Sequence, residues 1–185
     1  LFANSDKKYA ENLNQKAKSA LAYANLIKGV TQTVSVKSPY IYAEDNWVDD
    51  MQLAYASVQR SASKMAEKNS LAMAFEYAKQ EPITPWLTRD TANHYQYYPF
   101  VNIGHYELAK QSTGETRNQL VNYYKQGIEQ VNQRAEKNAF NRGVPFIWCS
   151  NNLTVAFAMQ CFWYKELTGD NAFSELEQAN FDWLF

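Results

Sequence analysis

The sequence has few features that would cross-link a small protein or place it in a membrane. Its two cysteines, Cys149 and Cys161, lie twelve positions apart, which along one helix is too far for a bridge, so they form no disulfide framework and we expect small buried side chains. No stretch approaches the ~20 uninterrupted apolar residues of a membrane-spanning helix. The first five residues lack the charged start and apolar run of a signal peptide, so none is expected in this segment.

The sequence also has no excess of charge of either sign. The 18 basic and 19 acidic residues leave a formal net charge of −1. Nucleic acids and anionic membrane surfaces attract clustered positive charge, so we expect neither as a partner. The chain has no nucleophile elbow, P-loop or dinucleotide glycine signature, and His94 and His105 have no cysteine-rich spacing around them. We therefore predict no cofactor and no metal.

Aromatic residues, in contrast, are abundant. They make up 15% of the chain and include 13 tyrosines and 5 tryptophans. Some of these rings must form the core. Tyrosine and tryptophan also suit carbohydrate binding, because the ring stacks on the C–H face of a sugar while its polar edge makes a hydrogen bond. The composition therefore favours a sugar as the ligand.

Apolar residues at three- and four-residue spacings predict an all-α protein. The expected helices cover 6–28, 47–66, 69–80, a segment ending near 112, a segment from there to about 137, 151–167, and a seventh still running at Phe185. Gly29 is expected to end the first helix, and Pro82 and Pro85 to follow the third.

The helices form a repeat of hairpins. The turns at Thr113-Gly114-Glu115 and Thr168-Gly169-Asp170 are alike, with their glycines 55 positions apart. Such a period indicates a solenoid or a closed toroid of helical hairpins. The long connections contain the aromatic residues Tyr40, Tyr42, Trp47, Trp86, Tyr95, Tyr97, Tyr98, Phe146 and Trp148. Because a toroid gathers such loops around one mouth, we favour the toroid.

Four acids stand close together at the start of the second helix, within residues 44–51. The structural interpretation is that Asp45 or Asn46 caps the helix while Asp49 and Asp50 complement its dipole. In the functional interpretation, Trp47 stacks on a sugar and one acid binds a hydroxyl.

The segment 86–100 is the densest in aromatic and ionisable residues. On a helix, Asp90 and His94 would share one face and could act as an acid/base pair. Alternatively, Asp90 orients a structural histidine, or Arg89 pairs with a carboxylate and holds the loop. A third segment, 143–152, is a stiff aromatic loop that leads into a helix start. Its Trp148 is either a stacking surface or a lid on the core.

Three segments carry a family resemblance. They are similar to the "NW-x-DDMELA", "RDTA-x-HYQ-x-YPF-x-N-x-GHY" and "PF-x-W-x-SNN" motifs of glycoside hydrolase family 9, in Bacteroidetes-like versions, and lie at 46–54, 89–106 and 145–152. The resemblance implies an (α/α)6 toroid, of which residues 1–185 would be about half, truncated at both ends. It also implies a secreted, periplasmic or cell-surface enzyme that cleaves β-1,4-glucans by inversion.

The family's catalytic base lies in an Asp-Ala-Gly-Asp motif and its acid is a later Glu. Neither matches a position here, so the resemblance names no catalytic residue, and we reject Asp49, Asp50 and Asp90 for that role. Instead it implies that this segment supplies scaffold and a sugar-binding wall. The wall residues are Trp47, Trp86, Arg89, Asp90, His94, Tyr98 and Trp148.

Two alternatives stay open. One is a non-catalytic helical-repeat protein that binds glycans. The other is a toroidal polysaccharide lyase, in which Tyr95 or His94 acts as the base and Arg89 neutralises a uronate.

Overall fold

The computed structural model describes residues 2–30, 46–61, 69–91, 97–147 and 150–185. Within them all regular structure is helical and no strand occurs, in agreement with the predicted all-α class. A 3₁₀ turn at Phe2–Asn4 precedes seven α-helices. These are α1 (Lys7–Leu26), α2 (Val48–Ser61), α3 (Ser70–Gln80), α4 (Ile103–Gln111), α5 (Gly114–Ala135), α6 (Ser150–Thr168) and α7 (Ser174–Asp182).

Two helix ends differ from the prediction. α1 ends at Leu26, three residues before Gly29, because Ile27 is already extended. α7 ends at Asp182 instead of running on to Phe185. The predicted end of the second helix, at 62–66, lies outside the described residues.

The chain divides into two compact units, Leu1–Gln80 and Glu81–Phe185. In unit 1, the Asp6 carboxylate caps α1 by accepting from the Tyr9 amide at 2.9 Å. α1 buries only Leu21. Most of the core of this unit comes from α2 and α3, where Ala56 and Ala74 are fully buried. Alanine at these positions lets two helix backbones approach closely.

Unit 2 has a larger core, formed mainly between α5 and α6. Leu120 and Ile128 of α5 are buried, as are Leu153 and Phe157 of α6, at spacings that keep each set on one helix face. Each such side chain contributes about 2 kcal/mol when fully buried. This core is the support on which the loops of unit 2 rest.

The two ends of unit 2 differ in the length of their connections. α4 joins α5, and α6 joins α7, through short turns at 112–113 and 169–173. Gly114 and Gly169 have φ angles of 60° and 72°, a region that favours glycine, which agrees with the predicted repeat of turn chemistry. The long connections 81–102 and 136–149 lie at the start of α4 and between α5 and α6.

Candidate functional site

Arg134, in the last turn of α5, joins the two long connections of unit 2. Its Nε donates to the Gly143 carbonyl at 3.0 Å, and its Nη2 donates to the Leu87 carbonyl at 2.9 Å. The Asp90 carboxylate lies 3.6 Å away but is 69% exposed, so this ion pair contributes less than about 1 kcal/mol. Burial lowers the pKa of Arg134, and Asp90 opposes that shift. One guanidinium therefore joins a residue of connection 81–102 to a residue of connection 136–149.

Two glycines allow these connections to press against α5. A Cβ at Gly143 would overlap the carbonyl oxygen of Val131, and one at Gly127 would lie 2.9 Å from the carbonyl oxygen of Trp86. Neither position has room for a side chain. The two connections can therefore lie this close to α5, where Arg134 binds them, because Gly127 and Gly143 have no side chain.

Trp86 is a core residue and not a sugar platform. It is 1% exposed, and its ring stacks on Phe157 with centroids 5.7 Å apart. The Tyr97 ring contacts it edge-on at 5.4 Å. The prediction that Trp86 stacks on a sugar is therefore wrong. A tryptophan beside a hydrophobic helix gains more from packing into the core than from an exposed position.

The exposed part of connection 81–102 contains other aromatic and polar groups. Tyr98 and Phe100 stack with centroids 5.2 Å apart and planes 12° from parallel, and Phe100 is 59% exposed. Arg89 and Asp90 are also exposed. Burial raises the pKa of Tyr97, while the charges of Arg89 and Arg134 oppose the shift. Arg89, Asp90 and the Tyr98–Phe100 pair are thus the groups that a ligand could reach.

The predicted acid/base pairing of Asp90 is not supported by its conformation. Asp90 lies in a bend and not on a helix, so the four-residue spacing to His94 does not place the two on one helix face. His94 itself lies outside the described residues. The Asp90 carboxylate instead faces Arg134.

Two hydrogen bonds hold the ends of this connection, one of them buried. The Thr84 hydroxyl lies 2.6 Å from His105 Nε2, and the Tyr124 hydroxyl donates to the carbonyl of Asn102. Asn102 adopts a left-handed conformation with φ of 68° immediately before α4. Burial lowers the pKa of His105 to about 3, so this histidine is neutral at physiological pH. These contacts hold both ends of the connection against α4 and α5.

Connection 136–149 holds a second arginine, Arg142, which is buried. Its guanidinium carbon lies 5.2 Å from the ring centroid of Phe146 and 4.9 Å from that of Trp183. The Phe140 ring packs edge-on against Trp183 at 5.6 Å. The predicted stacking residue Trp148 lies outside the described residues.

In unit 1, the structural interpretation of the acidic segment is supported. Asn46 Oδ1 accepts from the Val48 amide at 3.1 Å, and Asp49 and Asp50 lie in the first turn of α2. Burial raises the pKa of Asp50. Trp47 is half-buried and contacts the Tyr77 ring edge-on at 6.0 Å. Its proposed contact with a sugar stays a prediction.

Sequence reasoning missed Arg134 and Phe100. Arg134 occupies an intermediate position on an amphipathic helix, and its partners are main-chain carbonyls 9 and 47 positions away. A carbonyl has no sequence signature. Phe100 could have been selected as a candidate, since it lies two residues after Tyr98 in a segment rich in aromatic residues. The sequence does not show, however, that its ring is exposed.

Comparison with known proteins gives one match. No curated protein and no solved structure matches the chain. None of the helices in the described ranges is long and apolar enough to cross a membrane. The family model described as Glycosyl hydrolase family 9 matches residues 1–185, and the helices are consistent with the (α/α)6 fold of that family. On the match over residues 1–185 and this helical architecture, the chain belongs to glycosyl hydrolase family 9.

Proposed function

We propose that this glycoside hydrolase cleaves β-1,4-glucosidic bonds in a glucan such as cellulose, mixed-linkage glucan or xyloglucan, outside the cytoplasm. The observation that supports this proposal is the pair of hydrogen bonds from Arg134, by which one guanidinium binds carbonyls of both long connections of unit 2. A rigid support of this kind lets exposed loop residues hold a fixed geometry, which recognition of a polymer requires.

The groups exposed on connection 81–102 match the chemistry of a neutral sugar. The stacked pair Tyr98 and Phe100 presents a flat apolar face, while Arg89 and Asp90 offer a donor and an acceptor for hydroxyl groups. Each ring or well-placed hydrogen bond contributes about 1 kcal/mol, so several subsites are needed to hold a glucan chain. Trp47 of unit 1 stays a candidate for another subsite.

The proposed reaction inverts the anomeric carbon. One carboxylate activates a water while a carboxylic acid on the opposite face protonates the leaving oxygen, and the two stand roughly 6.5–9.5 Å apart. We propose that both carboxylates lie outside residues 1–185, since neither the family's Asp-Ala-Gly-Asp motif nor its later Glu matches a position in them. The role of this segment is then to provide scaffold and subsites.

Isothermal titration calorimetry of the chain with cellohexaose tests the subsite proposal. We expect Tyr98→Ala and Phe100→Ala each to weaken binding roughly five- to tenfold, through loss of one stacking interaction. Tyr23→Ala, which removes an exposed ring from α1, is the matched control and should leave affinity unchanged. If all three variants bind cellohexaose as tightly as the parent chain, Tyr98 and Phe100 are not part of the binding site.

Hydrolysis assays separate this proposal from its alternatives. We expect the 185-residue chain to release no reducing sugar from carboxymethyl cellulose, whereas the chain extended to include both carboxylates should do so. Reducing sugar released by the 185 residues alone would contradict the placement of the carboxylates. Binding without turnover by the extended chain would support the non-catalytic alternative, and unsaturated products from uronic-acid polymers would support a lyase.

A further inference from the structure

Connection 136–149 places a strongly exposed phenylalanine directly after a buried segment. Residues 142–145 are buried, and Gly143 lies so close to α5 that a Cβ there would overlap the carbonyl oxygen of Val131. The next exposed residue, Phe146, has 80% of its surface in solvent. Phe140, earlier in the same connection, is 69% exposed and packs edge-on against Trp183. Apolar rings gathered in solvent on a firmly held segment are typical of binding surfaces.

The guanidinium of Arg142 links Phe146 to Trp183. Its carbon lies over both rings, 5.2 Å from the centroid of Phe146 and 4.9 Å from that of Trp183. Arg142 is 8% exposed, and its Nη1 donates to the Val144 carbonyl at 3.3 Å. A desolvated cation attracts an aromatic ring more strongly than an exposed one does. This contact therefore restricts where the Phe146 ring can lie, while its high exposure leaves most of the ring open to a ligand.

We propose that Phe146 and Phe140 form a second aromatic surface for a neutral sugar unit of the glucan, and that Arg142 is a positioning residue that orients Phe146. The pyranose ring presents apolar C–H bonds to the exposed rings, and no charge on the ligand is required. This inference rests on the proposed function, since it adds a subsite for the same glucan. A glucan fits better than a protein partner because Arg134 joins this connection to connection 81–102, which carries the other proposed subsite.

Isothermal titration calorimetry with cellohexaose tests the surface. We expect Phe146→Ala to bind about fivefold more weakly than the parent chain, through loss of one stacking interaction. Phe162→Ala is the matched control, because Phe162 is also an exposed phenylalanine of unit 2 with a cation, Lys165, over its ring, but lies within α6. Its affinity should stay at the parent value. If Phe146→Ala binds as tightly as the parent chain, the proposal is wrong.

A double-variant cycle tests the role of Arg142. Arg142→Met removes the cation and should weaken cellohexaose binding about threefold, whereas Arg142→Lys keeps a cation and should lose less, about twofold. Because Arg142 acts through Phe146, neither change should have a further effect in a chain that already carries Phe146→Ala. If circular dichroism shows that Arg142→Met does not fold, Arg142→Lys serves in the cycle. A loss of the same size with and without the Phe146 ring would overturn the positioning role.

Three further results separate this inference from the proposed function. If Tyr98→Ala weakens cellohexaose binding and Phe146→Ala does not, only the second surface fails. If the parent chain binds xylohexaose or laminarihexaose but not cellohexaose, and Phe146→Ala weakens that binding, the surface stands and the β-1,4-glucan assignment fails. No binding of any of these sugars would overturn both. A change in oligomeric state of Phe146→Ala in light scattering, with unchanged sugar affinity, would assign the rings to a protein interface instead.

Discussion

At one end of unit 2, Arg117 of α5 donates to the carbonyls of Ala109 and Leu167, the last turns of α4 and α6. At the other end, Arg134 of the same helix donates to the carbonyls of Leu87 and Gly143. The chemistry is the same, but the partners differ. Arg117 donates to carbonyls in the last turns of two helices, whereas Arg134 fastens two loops that carry exposed side chains. From this difference we propose that the long-loop end serves binding, whereas the short-turn end serves stability.

Trp86→Ala should give the largest effect in this comparison. The buried indole packs against Phe157 and α5, and its removal leaves a large cavity, so we expect a loss of about 4 kcal/mol in the free energy of unfolding. Urea denaturation followed by circular dichroism measures it. A loss below 1 kcal/mol together with weakened sugar binding would restore Trp86 as a sugar platform.

Replacing each arginine by methionine separates the two ends. Arg117→Met and Arg134→Met each remove two charged hydrogen bonds to carbonyls, so each should cost about 2–3 kcal/mol in unfolding free energy. Only Arg134→Met should also weaken cellohexaose binding in calorimetry, by roughly tenfold, because it releases both loops. Lys137→Met, an exposed control, should change neither. Equal losses of affinity in both arginine variants would remove the functional distinction between the ends.

Much of this architecture was accessible from the sequence, but the chemistry of the loops was not. Helical spacing and the turns at Gly114 and Gly169 predict elements reliably because their signals are local. Trp86 packs into the core because Gly127 of α5 has no side chain in its way. The sequence does not reveal that these two residues are in contact. Arg134 was missed because its partners are main-chain atoms distant in the chain.

The long-loop end should also respond to acid through His105. Its pKa in the folded chain is lowered to about 3 by burial, against 6.5 when exposed. Between these values the unfolded chain binds one more proton than the folded chain, so stability falls as pH drops, by roughly 1.4 kcal/mol per unit. Urea denaturation at pH 4, 5 and 6 measures the slope, which should flatten in His105→Gln. An unchanged slope in that variant would assign the acid sensitivity to other groups.

The smallest effect belongs to the short-turn end, at Asp170. This exposed carboxylate accepts from the Tyr164 hydroxyl at 2.8 Å and from the Ala172 amide at 2.9 Å, and these bonds lower its pKa below 3.8. Because the folded pKa is the lower one, any stabilisation is present at neutral pH and is lost only as the pH falls through that value. Titration of the Asp170 carboxyl by ¹³C NMR should show the lowered pKa, and Tyr164→Phe should raise it. If acid strongly destabilised the turn well above pH 4, the short-turn end would be as pH-sensitive as the loops and the contrast between them would fail.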